Sequence, residues 1–379
     1  VLGSRGLGDV YKRQANGVPL VLETTSDTEL MNNPRASVQQ VYGRIMEDLD
    51  EAITLLTGAS ARADKAEISV EVAYGLRARA NLLMGKWAAA ASDAAKAYGT
   101  SAPYSVADVS QPTFYNATDN AWIWGIVVTT EDYLAKTGIV NWPSNLCSLT
   151  GMGYTTAASA TDVAYRLINK NLWAKIPETD VRKGWWVDED LHSPVLDNGL
   201  GEDYAYYWAN GMFNGGTFPS KFSPYTNVKF GPDNGTFADT DNAQDWPLMR
   251  VEEMKLIEAE ALGRDNLATG KQKLEEFVRQ YRDPSYTCTA GSLDAFIDEV
   301  WFQRRVELWG EGFALFDILR LKKPIIRQGA NYPINSTFAE IAAEAPIMIY
   351  RIPEAETSVN SAITEADNNP AAMAPTPVN

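Results

Sequence analysis

Residues 301–320, WFQRRVELWGEGFALFDILR, mix charged and bulky apolar side chains more closely than any other run of the chain. Just before this run, apolar residues recur at three- and four-residue steps from Leu293 to Trp301, which predicts a helix with one buried face. Gly310 and Gly312 lower helix propensity, and they predict a helix end or a close approach of two backbones. A second apolar run follows them. The stretch therefore predicts two helices that meet at a glycine-containing turn.

Glu307 and Glu311 lie four residues apart, on one side of a helical turn. Charged residues so closely mixed with apolar ones indicate a partly buried salt-bridge network, in which Arg304, Arg305 and Arg320 are expected to hold both carboxylates ionised. The functional alternative is an acid–base pair like that of a glycosidase. A general acid needs a raised pKa, so the neighbouring arginines favour the structural interpretation.

The spacing of these residues resembles a known family signature. Arg305-x-Glu307-Leu308-x-x-Glu311-Gly312, followed by Phe316-Asp317-x-x-Arg320, resembles the C-terminal signature of the SusD/RagB family of outer-membrane nutrient-binding lipoproteins. Many members carry an Arg two residues after the glycine, where this chain has Ala314, and we expect that loss to weaken the local ion network without affecting the ligand site. Asp180 and Arg182 match the Asp-x-Arg pair of the family, which the resemblance implies to be structural.

The resemblance extends over most of the chain, from about residue 37 to 370, through an Ala-Glu-Ala helix after Arg250 and a closing segment near residues 352–370. Helical periodicity predicts helices near residues 34–56, 72–83, 87–97, 251–261, 267–281 and 293–321. Residues 121–128 and 347–352 predict short strands. The predicted fold is mostly α, a scaffold of tetratricopeptide-like helical hairpins with a large loop-rich, aromatic-rich insertion and minor β structure.

We divide the chain into four parts on this basis. Residues 1–14, VLGSRGLGDVYKRQ, have no periodicity and resemble an artefactual leader, so we expect a native N-terminus with a signal peptide and a lipidated cysteine further upstream. Residues 15–110 form the N-terminal helical part, 111–244 the loop-rich ligand-binding insertion, and 245–379 the C-terminal helical part and tail. A loop-rich segment this long is expected to carry the function.

Composition narrows the function classes. Lys plus Arg number 33 against 49 Asp plus Glu, and the net charge of −16 argues against a nucleic-acid partner. The chain has two cysteines, Cys147 and Cys288, and a single histidine, His192, which are too few ligands for a zinc site. The same shortage argues against Ser-His or Cys-His catalysis except through His192. His192 is expected in a surface loop. No cofactor or metal is expected, although a calcium site of scattered carboxylates stays open. No apolar run reaches the length of a membrane span.

Aromatic residues are concentrated in the insertion. Sugar rings present an apolar face edged by hydroxyls, so flat aromatic side chains with polar neighbours suit them. The candidate ligand-binding residues are Trp142, Asn145, Trp185, Trp186, Tyr207, Trp208 and Asn210. Core packing is the alternative for each aromatic residue. Adjacent residues on a strand point to opposite faces, so at most one of Trp185 and Trp186 is expected to face a ligand, and the same holds for Tyr206 and Tyr207.

The resemblance implies a surface lipoprotein of the outer membrane without catalytic activity. It implies capture of an oligosaccharide or polysaccharide and its delivery to a TonB-dependent transporter of the SusC type, with the membrane reached through a lipid on the upstream cysteine. Binding of a peptide or another nutrient by the same fold is one alternative. A glycoside hydrolase using Glu307 and Glu311 is the other.

Overall fold

The computed structural model of the protein describes residues 16–136, 146–150, 166–211, 222–235, 237, 243–332 and 340–370. In these residues the α-helices, in chain order, are α1 Asp27–Leu30, α2 Val38–Leu56, α3 Val70–Leu83, α4 Trp87–Tyr98, α5 Val106–Val109, α6 Tyr133–Lys136, α7 Lys170–Trp173, α8 Pro194–Leu200, α9 Glu202–Ala209, α10 Val251–Asp265, α11 Leu267–Tyr281, α12 Leu293–Glu307, α13 Ala314–Leu321 and α14 Glu354–Val359. The strands are β1 Asn16–Pro19, β2 Arg35–Ser37, β3 Trp122–Ile126, β4 Trp246–Arg250, β5 Ile325–Ile326 and β6 Glu340–Ile341. The predicted mostly α fold is confirmed.

The predicted helical hairpin is formed by α3 and α4. Gly85 lies in the turn between them with φ +71°, a conformation that glycine adopts without strain. Ala90 and Ala94 of α4 are fully buried, so the two helices pack closely through small side chains. Met254 and Ile257 of α10 complete the same apolar cluster. The N-terminal hairpin and the later helical block therefore share one core.

The later block continues from α10 through α11 to α12. A Cβ placed on Gly270 of α11 would lie 2.2 Å from the Cα of Gly263 of α10, so the helix crossing requires glycine at this point. Phe277, Phe296 and Val300 are buried together on the inner faces of α11 and α12. These amphipathic faces are those that the sequence periodicity predicts.

Strand pairing joins the insertion to the scaffold. β3 and β4 are antiparallel, with Trp122 opposite Arg250 and Ile126 opposite Trp246, and α10 begins directly after β4. β3 confirms the strand predicted within residues 121–128. The strand predicted at 347–352 is wrong, because Pro346–Met348 forms a 3₁₀ turn and residues 349–352 belong to none of the strands found in the described residues.

The insertion packs around a second hydrophobic cluster, to which Tyr104 and Val306 of the flanking parts also belong. Phe114, Trp185, Trp186 and Phe230 are each at most 1% exposed and belong to one cluster. Phe114 makes edge-on ring contacts with Trp185 at 5.4 Å and with Phe230 at 6.1 Å between centroids. The insertion also contains α8 and α9, which its many turn signals concealed. It is therefore a packed unit that has helices as well as loops.

Candidate functional site

The carboxylate of Glu307, at the end of α12, is fully buried among three arginines. Arg282 donates from Nε to Oε2 at 2.8 Å and from Nη2 to Oε1 at 2.9 Å. Arg182 and Arg250 each approach it at 3.4 Å, and Arg182 also pairs with Asp180 at 2.6 Å. Because a buried charge needs partners to remain in place, this cluster fixes α12 against the insertion and the start of α10. The predicted structural pair of Asp180 and Arg182 is present.

Glu311 is held in the same way in the turn after α12. Lys229 donates from Nζ to its Oε1 at 2.7 Å, and Arg250 donates from Nη2 to Oε1 at 2.8 Å and from Nε to Oε2 at 2.9 Å. Nζ of Lys229 also donates to the carbonyl oxygens of Glu307 at 2.9 Å and Trp309 at 3.0 Å. Burial lowers the pKa of Lys229 to about 8, although the negative charge of Glu311 acts to raise it. The turn between α12 and α13 is thereby fastened to the insertion core.

Both glutamates are held in the ionised form. Burial favours a higher pKa for Glu307, but Arg282, Arg250 and Arg182 outweigh it and hold the pKa well below the usual range. Burial also favours a higher pKa for Glu311, but Arg250 and Lys229 outweigh it and lower the pKa. A general acid needs a raised pKa and access to substrate. The pair therefore lacks what glycosidase acid–base chemistry requires.

The partners of these glutamates differ from those expected. Arg304 and Arg320 bind Asp317 at 2.7 Å each, and Arg320 also binds Glu260 of α10 at 2.6 Å. Arg305 takes part in no ion pair within the described residues, and its guanidinium lies 4.8 Å from the ring centroid of Trp301. The reason is geometric. Cationic side chains from distant segments of the chain surround Glu307 and Glu311, so the arginines of the signature bind other partners.

Three of the candidate ligand-binding aromatics lie in the core. Trp185, Trp186 and Trp208 are 0%, 1% and 4% exposed, and Nε1 of Trp185 donates to the carbonyl oxygen of Val109 at 3.0 Å. Trp185 belongs to the 3₁₀ turn Val181–Trp185, so the strand alternation expected for the pair does not apply to it. Core packing, the alternative kept for each aromatic, is the arrangement found for these three.

An exposed aromatic surface lies on α9. Its Tyr204, Tyr206 and Tyr207 are 39%, 38% and 48% exposed, and His192 stacks on Tyr206 with centroids 5.2 Å apart and planes 21° apart. We call these four residues the tyrosine face. Trp208 is on the opposite side of α9 and packs against Phe237 at 6.2 Å. The buried side of the helix therefore fixes which side of α9 carries the exposed rings.

Two polar candidates differ in position. Asn210 follows α9 and is half-buried, and its Nδ2 donates to the carbonyl oxygen of Tyr206 at 2.8 Å, which caps the helix beside the exposed rings. Trp142 and Asn145 lie outside the described residues. Of the predicted site residues that are described, Tyr207 and Asn210 are thus the ones brought together at an accessible surface.

Sequence reasoning missed Tyr204 and His192 in this surface. It also treated Tyr206 and Tyr207 as strand residues of which at most one faces a ligand, whereas both are exposed on the helix α9. On a helix, residues at i, i+3 and i+4 share one face, and Ala205, Trp208 and Ala209 are the buried set of α9. That spacing was the available signal, and it places neighbouring tyrosines on the outer side. Flat rings held at the surface can stack on the apolar face of a sugar.

Within the described residues, no group of three or more His, Cys, Asp and Glu side chains is arranged to hold a metal ion. None of the helices found in those ranges has the length and apolarity needed to cross a membrane.

Comparison with known proteins identifies relatives of the chain. The model of the SusD family matches residues 155–370. A SusD-like carbohydrate-binding protein of Bacteroides vulgatus has a similar structure, with a TM-score of 0.69 and 22% identity over 94% of this chain and 71% of that one. A SusD superfamily protein of Bacteroides thetaiotaomicron gives a TM-score of 0.69 and 20% identity over 95% and 72%. Another from Bacteroides vulgatus gives 0.68 and 23% over 96% and 72%. A search among curated proteins found no match.

Proposed function

The chain belongs to the SusD family, and on that premise we propose that it binds an oligosaccharide or polysaccharide at the cell surface and delivers it unchanged to a SusC-like, TonB-dependent transporter. Carbohydrate binding and association with the outer membrane are family-level properties that support this role. For this chain we further propose a lipid anchor on an upstream cysteine. Peptide or other nutrient binding by the same fold remains the alternative.

The tyrosine face is the observation that carries the proposal. It combines three exposed rings on one short helix with the imidazole of His192, which stacks on Tyr206, and Trp208 fixes the other side of that helix in the core. Rings that are already oriented lose little conformational entropy on binding. A shallow surface desolvates little of each sugar, so affinity should come from several rings engaged together and should be modest for one sugar unit.

Titration calorimetry of the purified chain against a panel of neutral and acidic polysaccharides tests the proposal. We expect saturable binding to at least one neutral glycan, weakened about tenfold or more in Tyr206→Ala and in Tyr207→Ala, because each removes a stacking surface. Tyr350→Ala is the matched control, since Tyr350 is 84% exposed and lies outside the tyrosine face. The control should bind as the unchanged chain does.

Two results would overturn this function. One is glycan binding that is unaffected in both tyrosine variants. The other is binding of peptides with no binding of any glycan, which would favour the nutrient-binding alternative. Product analysis of the bound glycan adds a separate check, since hydrolysis that disappears in Glu311→Gln while the fold persists would show an enzyme.

A further inference from the structure

A cleft of about 670 Å³ opens beside the signature segment, and neither Glu307 nor Glu311 is among its described lining residues. Its walls come from α7, α12, α13 and the chain after Pro324. Trp301, Trp309 and Tyr332 line it with aromatic surface, and the small side chain of Ala314 leaves room beside them. The volume lies within the range of sites that bind small molecules. The tyrosine face contributes none of the described lining residues.

The charge of this cleft is opposite to that of the molecule. Lys175, Arg304, Arg305 and Arg327 line it, and Asp317 is the one acidic residue among its described lining residues. Asp317 is already bound by Arg304 and Arg320 at 2.7 Å each, so its charge is compensated. The cleft is therefore locally cationic in a chain of net charge −16.

Two of these guanidinium groups have no acidic partner among the described residues. No ion pair within the described part of the chain includes Arg305 or Arg327. Arg305 lies 4.8 Å from the ring centroid of Trp301, and Arg327 lies 5.2 Å from that of Tyr332. Burial lowers the pKa of Arg305, which is the cost of keeping a cation there without a counter-charge. An anionic ligand would supply that charge.

A second observation points to a ligand in the same place. Arg304 is 4% exposed, and its Nε donates to Asp317, but its Nη1 is buried without a hydrogen-bond partner in the described part of the chain. Nε1 of Trp301 is likewise buried and unpaired. Buried donors without partners are rare in folded proteins, since each loses its hydrogen bonds to water without replacement. Both donors belong to residues that line the cleft.

We propose that this cleft binds an oxyanion carried on a sugar ring, a uronate carboxylate or a sulfate ester, with Arg305 and Arg327 as its charge partners. Arginine binds carboxylate and sulfate-like groups in the plane of its fork, and the adjacent rings offer apolar surface to the sugar. The proposal builds on glycan capture at the tyrosine face and names the class of glycan, an acidic one. A cleft between helices suits one substituted ring better than an extended peptide.

The test compares three oligosaccharides of equal length: an oligogalacturonate, a sulfated galactan and a neutral galactan. Arg305→Gln and Arg327→Gln are the variants, and they lie on separate elements so that misfolding of one leaves the other informative. Arg44→Gln, which changes net charge equally on exposed α2, is the control. We expect one of the two acidic oligomers to bind at least about tenfold tighter than the neutral one, and both cleft variants to remove that preference.

Equal affinity of folded Arg305→Gln, Arg327→Gln and the unchanged chain for the preferred acidic oligomer would overturn the proposal. Equal affinity of the unchanged chain for acidic and neutral oligomers would do so as well, as would binding of acidic peptides alone. Failure of the proposed function is separate. If the proposed function fails, the tyrosine variants will bind glycan as tightly as the unchanged chain does. If only the cleft proposal fails, neutral glycan will still bind, and Tyr207→Ala will still weaken that binding.

Discussion

At the scale of single residues, glycine positions show which backbone conformations the fold requires. Gly310 has φ +82°, and a Cβ there would lie 2.8 Å from the ring of Phe230. Gly43 is different, since it lies on the exposed side of α2, where an added Cβ would have no atom within 4 Å. The first glycine meets a requirement of the turn after α12. The second only lowers helix propensity.

Gly310→Ala and Gly43→Ala therefore form a matched pair with opposite signs. We expect Gly310→Ala to lower the free energy of unfolding by about 1–3 kcal/mol, because alanine is strained at positive φ and its methyl group meets Phe230. We expect Gly43→Ala to raise it by roughly 0.5–1 kcal/mol through helix propensity. Urea unfolding of both variants and of the unchanged chain measures these changes in the free energy of unfolding. Equal changes in the two would show that backbone strain at Gly310 is absent.

At the scale of elements, α10 and α13 are joined by a buried ion pair. Arg320 donates to both oxygens of Glu260, at 2.6 and 2.8 Å, and Arg264 binds the same carboxylate at 2.8 Å. Burial favours a higher pKa for Glu260, but the two arginines lower it to about 2. The folded state then binds fewer protons than the unfolded state between pH 4.5 and pH 2. Stability from this pair is complete above pH 4.5 and is lost as pH falls towards 2.

This pair predicts acid sensitivity that Glu260→Gln removes. For the unchanged chain, we expect the contribution of Glu260 to the free energy of unfolding to fall by on the order of 3 kcal/mol as pH drops from 4.5 to 2. Glu260→Gln should be less stable at pH 7, because Arg320 loses its partner, and should vary less with pH in that window. Glu354→Gln, at an exposed position of α14, is the control. Parallel pH curves for all three proteins would contradict the assignment.

Sequence periodicity was sufficient for most helices and insufficient for the site. Helices α2, α10, α11 and α12 have apolar stripes long enough to be seen locally, so they were predicted. Helix α9 has eight residues and follows Gly201, and its turn signals hid the spacing of its buried set. The partners of Glu307 were missed for another reason. Arg182 is far from it in sequence, and only tertiary packing brings the two together.

At the scale of the whole molecule, Arg282 connects the insertion to the helical scaffold, and its guanidinium lies 5.9 Å from the ring centroid of Trp185 in the insertion. Arg282 binds Glu307 of α12 and Glu252 of α10, and its Nη1 donates to the carbonyl oxygen of Tyr104 at 2.9 Å. The backbone N–H of Val181, at the 3₁₀ turn, donates to the carbonyl oxygen of Arg282 at 3.1 Å. The insertion and the scaffold therefore share a buried charge cluster. This arrangement predicts that they open together.

Arg282→Met tests that coupling. Removing the guanidinium leaves Glu307 and Glu252 short of a buried partner, so we expect faster amide hydrogen exchange both in the insertion near residues 181–200 and in α10 and α11. Arg279→Met is the matched control, because Arg279 lies one turn earlier on α11 and its side chain is 45% exposed in a pair with Glu275. Its exchange should match that of the unchanged chain. If Arg282→Met accelerated exchange in α11 alone, the insertion would have a stability of its own, and its site could move independently of the scaffold.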